Sequence, residues 1–488
     1  MRTQDILHSL LNLFKGQEQD ISLLGSRTSQ SVSFGVAGAC SWNGEHLREV
    51  LGRFPSAEEG YLDTGGLAGW FRDFLRAVQQ AGRSFAKGLL QCLLEPTVMA
   101  WDQAAKRQGR RPCPCPCCGS LVWSYAGAEP EKKDFDSLFG TVTLRRYPAR
   151  CEKCAKSFYP LDSVLGLGHH RMFPLLQGFS AFLASFLPES VAAKALEMLT
   201  GCAHSPRTVA ARAQELGRAV AARQETGMEL EVGILQQAAA QARGPVDLHL
   251  SVDGTMVPLN EKPKDQEGSH MEARVAVLTL EDSMGNTLTK IRLARLTELP
   301  VFLQCLSELI QEARETLPHL RRFYLHGDGA VWIEGFADAH AFLTFILDWY
   351  HLKEKVWGIT EKWGFERTEH RMQRLQEATD ALWRGDSANA IEILKSMRFP
   401  YPSLGTARDE VVAYIAARTD RIPNYRWHSD RSLTIGSGEV EGAAKHIITN
   451  RLKGSGMRWS PENADAIIAA RCSILNGTWE YDLLKANL

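Results

Sequence analysis

Two kinds of side chain in this 488-residue sequence have the type and spacing to do chemistry: a cluster of cysteines and a set of far-separated carboxylates. Cys115-Pro116-Cys117-Cys118 and Cys151-Glu152-Lys153-Cys154 form two CxxC pairs with 32 residues between them. Thiolates at i and i+3 of a turn converge on one side, and two such knuckles face to face hold one tetrahedral Zn²⁺. The spacing is long for a tight finger and natural for a zinc ribbon, so one structural zinc per chain is expected. Cys113 and Cys117 leave the choice of ligands open. The other five cysteines, Cys40, Cys92, Cys202, Cys305 and Cys472, are scattered, which is not a disulfide framework.

The carboxylates are Asp253 in SVDGT, Asp328 in HGDGAVW, and Glu439 or Glu441 in GSGEVEG. Hard Mg²⁺ or Mn²⁺ ions take oxygen ligands and keep several waters. Two of them, roughly 3.5 to 4 Å apart, activate the attacking oxygen and stabilise the departing one when a phosphodiester is displaced in line. Such a site asks the protein for a few convergent carboxylates and little else. Gly327 and Gly329 are expected to leave room for metal and phosphate beside Asp328. Each residue also has an ordinary reading: an Asp between glycines forms turns after buried strands, and Glu439 in a first helical turn favours the helix dipole. Glu441 can pair with Lys445 at i,i+4. Periodicity sets Glu441 in line with Ala444 and Ile448 without deciding between the two glutamates.

From Gly442 through Pro461 there is no acidic residue, while Lys445, Arg451, Lys453 and Arg458 occur with His446 and Trp459 interleaved. That patch suits phosphates and an unpaired or distorted DNA end; a solvated basic face is the alternative. The whole chain has net charge −1 and a pI near 6.9, so phosphate binding must come from such local patches. With 44% apolar and 23% charged residues the composition is ordinary and globular, and the length implies several domains. No stretch approaches the roughly 18 apolar residues of a membrane helix, and the start, MRTQDILHSLLNLFKGQEQD, is amphipathic rather than a signal peptide, so a cytoplasmic protein is expected.

The elements that must position these residues follow from periodicity. GPVDLHLSVDGTMVPL reads as a strand carrying Asp253, and EARVAVLTLEDSMGNTLTKIRLARL as two more strands joined by a turn at Asp282 to Asn286. Pro300 opens a helix to about Glu315; a fourth strand ends at Asp328 and a fifth near Asp348. This is a mixed α/β sheet matching an RNase H-like core, in which the strands bearing Asp253 and Asp328 pair in the middle. GTVTLRRYPARC alternates like a strand entering the second knuckle. From His169 to about Gly227 the pattern is helical, with a stop at Gly201 and a start at Ser205 or Pro206. That resembles a helix-turn-helix, with Arg207, Thr208, Arg212 and Gln214 placed to meet a major groove; ordinary helical hairpins look alike.

The order VDGT, HGDGAVW, DWYH, then GSGEVEGAAK with RLKGSGMRW, is similar to bacterial insertion-sequence transposases of the DDE class, in the Mutator-like group and its ISKra-type branch. The resemblance covers roughly Cys115 to Cys472. It implies that Asp253, Asp328 and Glu441 correspond to the catalytic triad, holding two Mg²⁺ or Mn²⁺ ions, and that Asp348 and His351 of DWYH support the active site. It implies also that the zinc knuckles are native to the family and that a helical insertion divides the catalytic core. The expected organisation is a mostly helical region of unknown role at 1–110, a zinc ribbon at 111–162, a helix-turn-helix-like region at 163–232, the two core segments at 244–352 and 432–488, and the insertion at 353–431.

The function expected from this is transposition: hydrolysis at inverted-repeat ends, then attack of the freed 3′-hydroxyl on target DNA, by a homo-oligomer on double-stranded DNA. A domesticated, non-catalytic DNA-binding protein and a two-metal nuclease that does not join strands are the alternatives. The expected DNA contacts are Arg207, Arg212, Lys445, Arg451, Lys453, Arg458 and Trp459.

Overall fold

A computed structural model describes residues 27–28, 31–35, 39–42, 64–167, 171–260, 269–362, 368–431 and 433–485, arranged in two bodies. The amphipathic start read from the sequence, Cys40 as a side chain, and His169 lie outside what is described. Among the described residues, no helix is long and apolar enough to cross a membrane.

The larger body, 185–187 with 213–486, is built on a five-stranded mixed sheet. Its strands are β1 (Val246–Pro258), β2 (His270–Asp282), β3 (Thr287–Arg295), β4 (Leu320–Gly327) and β5 (Thr344–Leu347), in the order β3-β2-β1-β4-β5. β1, β2 and β3 pair antiparallel; β4 runs parallel to β1, and β5 parallel to β4. The β2–β3 turn is held by Asp282, whose carboxylate accepts from the Met284 and Asn286 N–H groups at 2.8 and 2.9 Å.

Strict alternation divides the sheet into two unlike faces. Val246, Leu248, Leu250 and Val252 of β1 enter an apolar core with α1 (Glu229–Gln241) and α2 (Leu299–Thr316), through Val232, Leu235, Phe302, Leu306 and Ile310. Each such fully buried side chain contributes roughly 1.5–3 kcal/mol of transfer free energy. The residues between them, Asp247, His249, Ser251 and Asp253, line the opposite face with Tyr324 and His326 of β4, and all but Asp253 are fully buried. These polar groups pair with one another: His249 Nδ1 lies 3.0 Å from His326 Nε2, and Arg321 binds both oxygens of Asp247.

That polar face lies beneath a helical block. α3 (Val331–Ala339) joins β4 to β5, and the chain then continues through α4 (Trp349–Gly358), α5 (Glu369–Trp383), α6 (Ser387–Ser396) and α7 (Pro402–Ala416). α3 packs into the first core through Ile333 and Phe336, whereas α4 to α7 share a second apolar cluster that includes Tyr324 and Ile346 of the sheet. α5 and α6 begin with side-chain caps from Thr368 and Asp386. The chain returns through α8 (Gly438–Ala444), which lies against β1 and β2, and continues through a π-turn at Lys445–Thr449. α9 (Pro461–Asn476) packs on β3; Ser460 caps its start and Gly477, at φ 78°, ends it.

The smaller body, 1–184 with 188–212, contains a 44-residue helix, Thr64–Arg107, which runs through Pro96. Strands Arg27–Thr28, Ser31–Gly35 and Ala39–Trp42 form a small sheet that the sequence reading of a mostly helical start did not include. GTVTLRRYPARC is two strands rather than one. Gly140–Arg146 pairs with Glu131–Ser137 in a hairpin held to the long helix by reciprocal Gln91–Thr143 bonds of 2.7 and 2.8 Å, and only Ala149–Cys151 belongs to the knuckle. Helix Glu189–Thr200 stops at Gly201, φ 76°, and the next opens at Pro206, where Ser205 Oγ accepts from Thr208 N–H at 3.1 Å.

Gly217, on the larger body's part of helix Pro206–Gln224, touches the α9 backbone so closely that a Cβ would sit 1.7 Å from the Ala466 carbonyl oxygen. Gly217→Ala is therefore expected to lower stability by at least about 1–3 kcal/mol, read as a shifted denaturation midpoint.

Candidate functional site

Strand register aligns the acidic residues at the ends of the central strands. Ser251 of β1 lies opposite His326 of β4, so two residues further along the same face Asp253 comes level with Asp328, just past the end of β4. β5 repeats the alignment: Ile346 pairs with His326, and Asp348 follows two residues later with its N–H on the Gly327 carbonyl at 2.9 Å. Glu441 arrives from α8, and its carboxylate lies with Asp348 and His351 in a group whose ligand atoms are all within 4.8 Å of one another.

Electrostatics tie these side chains to Asp253. Burial pushes its carboxyl above the ordinary range; the Gly254 N–H at 2.7 Å and His351 oppose the rise, while the charges of Asp328 and Glu441 add to it. A divalent cation among these carboxylates would relieve that repulsion. Among the described residues, however, Glu441 shares a group of possible ligand atoms within 4.8 Å of one another with Asp348 and His351, not with Asp253 and Asp328. Glu439 takes another direction and forms a 2.7 Å ion pair with Lys290.

Asp348 is fully buried and accepts three hydrogen bonds from protein donors. One oxygen accepts from the His351 N–H at 2.9 Å with His351 Nδ1 at 3.4 Å, and the other accepts from both the N–H and the hydroxyl of Ser437. Burial alone would raise its pKa, yet the hydrogen bonds from His351 and Ser437 hold it at about 2. The hydrogen bond to Asp348 lifts His351 to about 9 against burial, with the charges of Asp348, Asp328 and Glu441 adding to the rise.

The glycines around Asp328 serve a purpose different from the expected one. A Cβ on Gly327 would lie 2.8 Å from Ile333 Cγ2, and one on Gly329, at φ 83°, would lie 2.9 Å from the Tyr414 hydroxyl. Protein atoms, not open space for a ligand, occupy those positions. Tyr414 of α7 donates to the Asp328 carbonyl at 2.9 Å and Arg418, just past that helix, to the Gly329 carbonyl at 3.3 Å, so the end of α7 fixes the backbone that carries Asp328. The Asp328 carboxylate itself accepts from the Ala330 N–H at 2.9 Å.

The basic segment after α8 is tied to the end of β1 by backbone bonds: Trp459 N–H to Pro258 O at 3.2 Å, and Asn260 N–H to Trp459 O at 3.0 Å. This brings Lys453 Nζ to within 2.5 Å of Thr255 Oγ1 and into the field of Asp253. Lys445 and Arg458 are exposed. Arg451 and Trp459, expected to contact DNA, are buried instead: Arg451 is 2% exposed, with its guanidinium 4.9 Å from the Trp459 ring centre, and the indole N–H donates to Leu452 O. Arg212 is likewise only 4% exposed, beside Gln177, whereas Arg207 is exposed at its helix start.

In the smaller body, Cys115, Cys118, Cys151 and Cys154 converge, with Sγ separations of 3.7 Å for Cys115–Cys154 and 3.6 Å for Cys118–Cys151. A tetrahedral zinc with Zn–S bonds of about 2.3 Å has S–S edges of about 3.8 Å, so the group could hold such a metal without rearrangement. The Cys154 N–H, against burial, draws the Cys151 thiol down to about 7. Cys113 turns toward Pro160 O and Cys117 faces solvent, which removes the ambiguity in the ligand set.

No family model matches the chain. It is similar to the UPF0236 protein in vanSb 3'region of Streptococcus gallolyticus, 24% identical over 377 residues, which is 74% of this chain and 76% of that protein.

Tyr414 and the buried His249–His326 pair were not singled out in the sequence, and Ser437 is expected there only as the N-cap of the helix carrying Glu441, a side-chain bond it does not make. The histidine pair had a signal, because His249 and Asp253 share one face of an alternating strand; Tyr414 had none, since its partner is 86 positions away.

Metal analysis of purified protein should find one zinc per chain, lost in Cys151→Ser and retained in Cys113→Ser and Cys117→Ser. A second expectation follows from His351, whose pKa rises on folding. In the metal-free protein its stabilising contribution is complete below about 6.5 and fades as pH rises through about 9. The stability gap between wild type and His351→Gln, followed by urea denaturation, should therefore narrow over that window.

Proposed function

We propose that this chain is a DNA transposase of the DDE class, which cuts the ends of a bacterial insertion sequence and joins them to target DNA. The observation that supports the reading is that Asp253 on β1 feels the charges of both Asp328, just past the adjacent parallel strand, and Glu441, on a helix returning against β1. The sheet order, with three antiparallel strands followed by two parallel ones, supports an RNase H-like core split by the helical block.

Asp253, Asp328 and Glu441 would hold divalent ions, which when bound supply activation of the attacking oxygen and stabilisation of the leaving one. The residues around them set the geometry. Tyr414 and Arg418 hold the turn that presents Asp328, and Ser437 and Asp348 hold the start of the helix that presents Glu441. Lys453, beside Asp253, lies where a phosphate would approach, with Lys445 and Arg458 exposed on the segments around it.

The first reaction is attack of water on a phosphodiester at the element end, releasing a 3′-hydroxyl. That hydroxyl then attacks a target phosphodiester and displaces its 3′-oxygen, so phosphodiester number is conserved and no protein–DNA bond forms. The Cys₄ group and the helical hairpin, with Arg207 exposed, supply the means of finding the terminal repeats, and two copies hold the paired ends.

Incubating protein with labelled element ends, target plasmid and Mg²⁺ should yield joined products. Asp253→Asn, Asp328→Asn and Glu441→Gln should each reduce cleavage by at least about 10²–10³-fold while retaining DNA binding. Nicking without joining would identify a nuclease, and binding alone a DNA-binding module.

A further inference from the structure

The place where the helical block leaves the sheet is also the place where the chain comes back. Asp348 closes β5, and Ser437, 89 positions later, directly precedes α8. Three contacts join the two points besides the paired bonds from Ser437 to Asp348. Trp349 N–H donates to Ile435 O at 3.1 Å, and the Tyr425 hydroxyl donates to Leu347 O at 2.7 Å. Gly436 packs so tightly that a Cβ there would lie 2.7 Å from the Tyr350 ring and 3.3 Å from Asp348 Oδ2.

Ser437 occupies the position before the helix, where a serine ordinarily accepts from the first-turn N–H groups. It makes no such side-chain cap; the hydroxyl donates to Asp348 at 2.5 Å and stands 3.5 Å from Glu441 Oε1, one turn along. A buried carboxylate that already accepts three protein hydrogen bonds, one on Oδ1 and two on Oδ2, has reduced capacity left for a metal, although its atoms lie near those of Glu441 and His351. Its geometry is that of an anchor.

We propose that Ser437 and Asp348 form a clasp that positions Glu441, so that both are positioning residues whose effect on divalent-metal binding passes through the Glu441 carboxylate. This rests on the reading of Glu441 as a metal ligand. The hydroxyl fixes the first turn of α8 to the end of β5, and the rotation of that turn sets where the carboxylate points. Partners that orient a ligand in this way typically change metal affinity by about 10–100-fold when removed.

The test is a double-mutant cycle on Mn²⁺ binding to the full-length protein without DNA, measured by electron paramagnetic resonance of free Mn²⁺. Wild type, Ser437→Ala, Glu441→Gln and the double variant are compared. Ser437→Ala should weaken binding about 10–100-fold in the wild-type background and less than about twofold in the Glu441→Gln background. Equal weakening in both backgrounds, or none in the first, overturns the clasp. Absence of Mn²⁺ binding by the wild type, or indifference to Glu441→Gln, instead overturns the metal-ligand reading, and the clasp with it. Should Ser437→Ala fail to fold, Asp348→Asn runs the same cycle with the same outcomes.

Discussion

The in-register parallel pairing of β1 with β4 is the constraint on which the candidate site depends. Ser251 opposite His326 determines that Asp253 and Asp328 reach the same level on the same face. A one-residue slip would turn Leu248 and Leu250 out of the apolar core and carry His249 and Asp253 into it, so the register that packs the core is the one that aligns the acids. Core stability and site geometry are two readings of a single pairing.

Below the site the same alternation produces an unusual interior. Asp247, His249, Ser251, His326 and Glu281 are buried on a face that most sheets would fill with aliphatic side chains. Burial drives Glu281 up to about 7, with Asp247 and Glu439 adding, and lowers His249 to about 4, so both favour their neutral forms. Neutral forms lower the desolvation cost of these groups, of which His249 Nδ1 and His326 Nε2 pair directly while His249 Nε2 lies 3.4 Å from Glu281. The polar layer gives the sheet a directional scaffold on the side where α8 must settle with a defined rotation.

Much of this was legible in the sequence because it is local. The alternation in VDLHLSVDG, the Asp282–Asn286 turn, the stop at Gly201 and the paired CxxC knuckles each depend on residues close in the chain, and the structure has a mixed α/β sheet and a four-cysteine group where they point. What was not legible depends on partners far away. Ser437 lies at the predicted helix start, but its hydroxyl answers to Asp348 rather than to its own helix. Arg451 and Trp459 fit a nucleic-acid patch by composition, yet stack on each other inside the fold, since the same pairing chemistry serves an interior as well as a phosphate backbone. Gly327 and Gly329 signalled close approach correctly and its occupant wrongly: Ile333 and Tyr414 take the space.

The meeting of Asp348 and Ser437 makes the helical block a closed excursion, entered and left through one doorway. A detour whose two ends are pinned together can lengthen, shorten or exchange helices at its far side with little strain on what lies at the doorway, because loop closure grows only slowly more demanding with length. Related chains are then free to differ widely in the size of this block while the spacing of their acids stays constant, and the far helices become the natural place to graft new recognition surfaces.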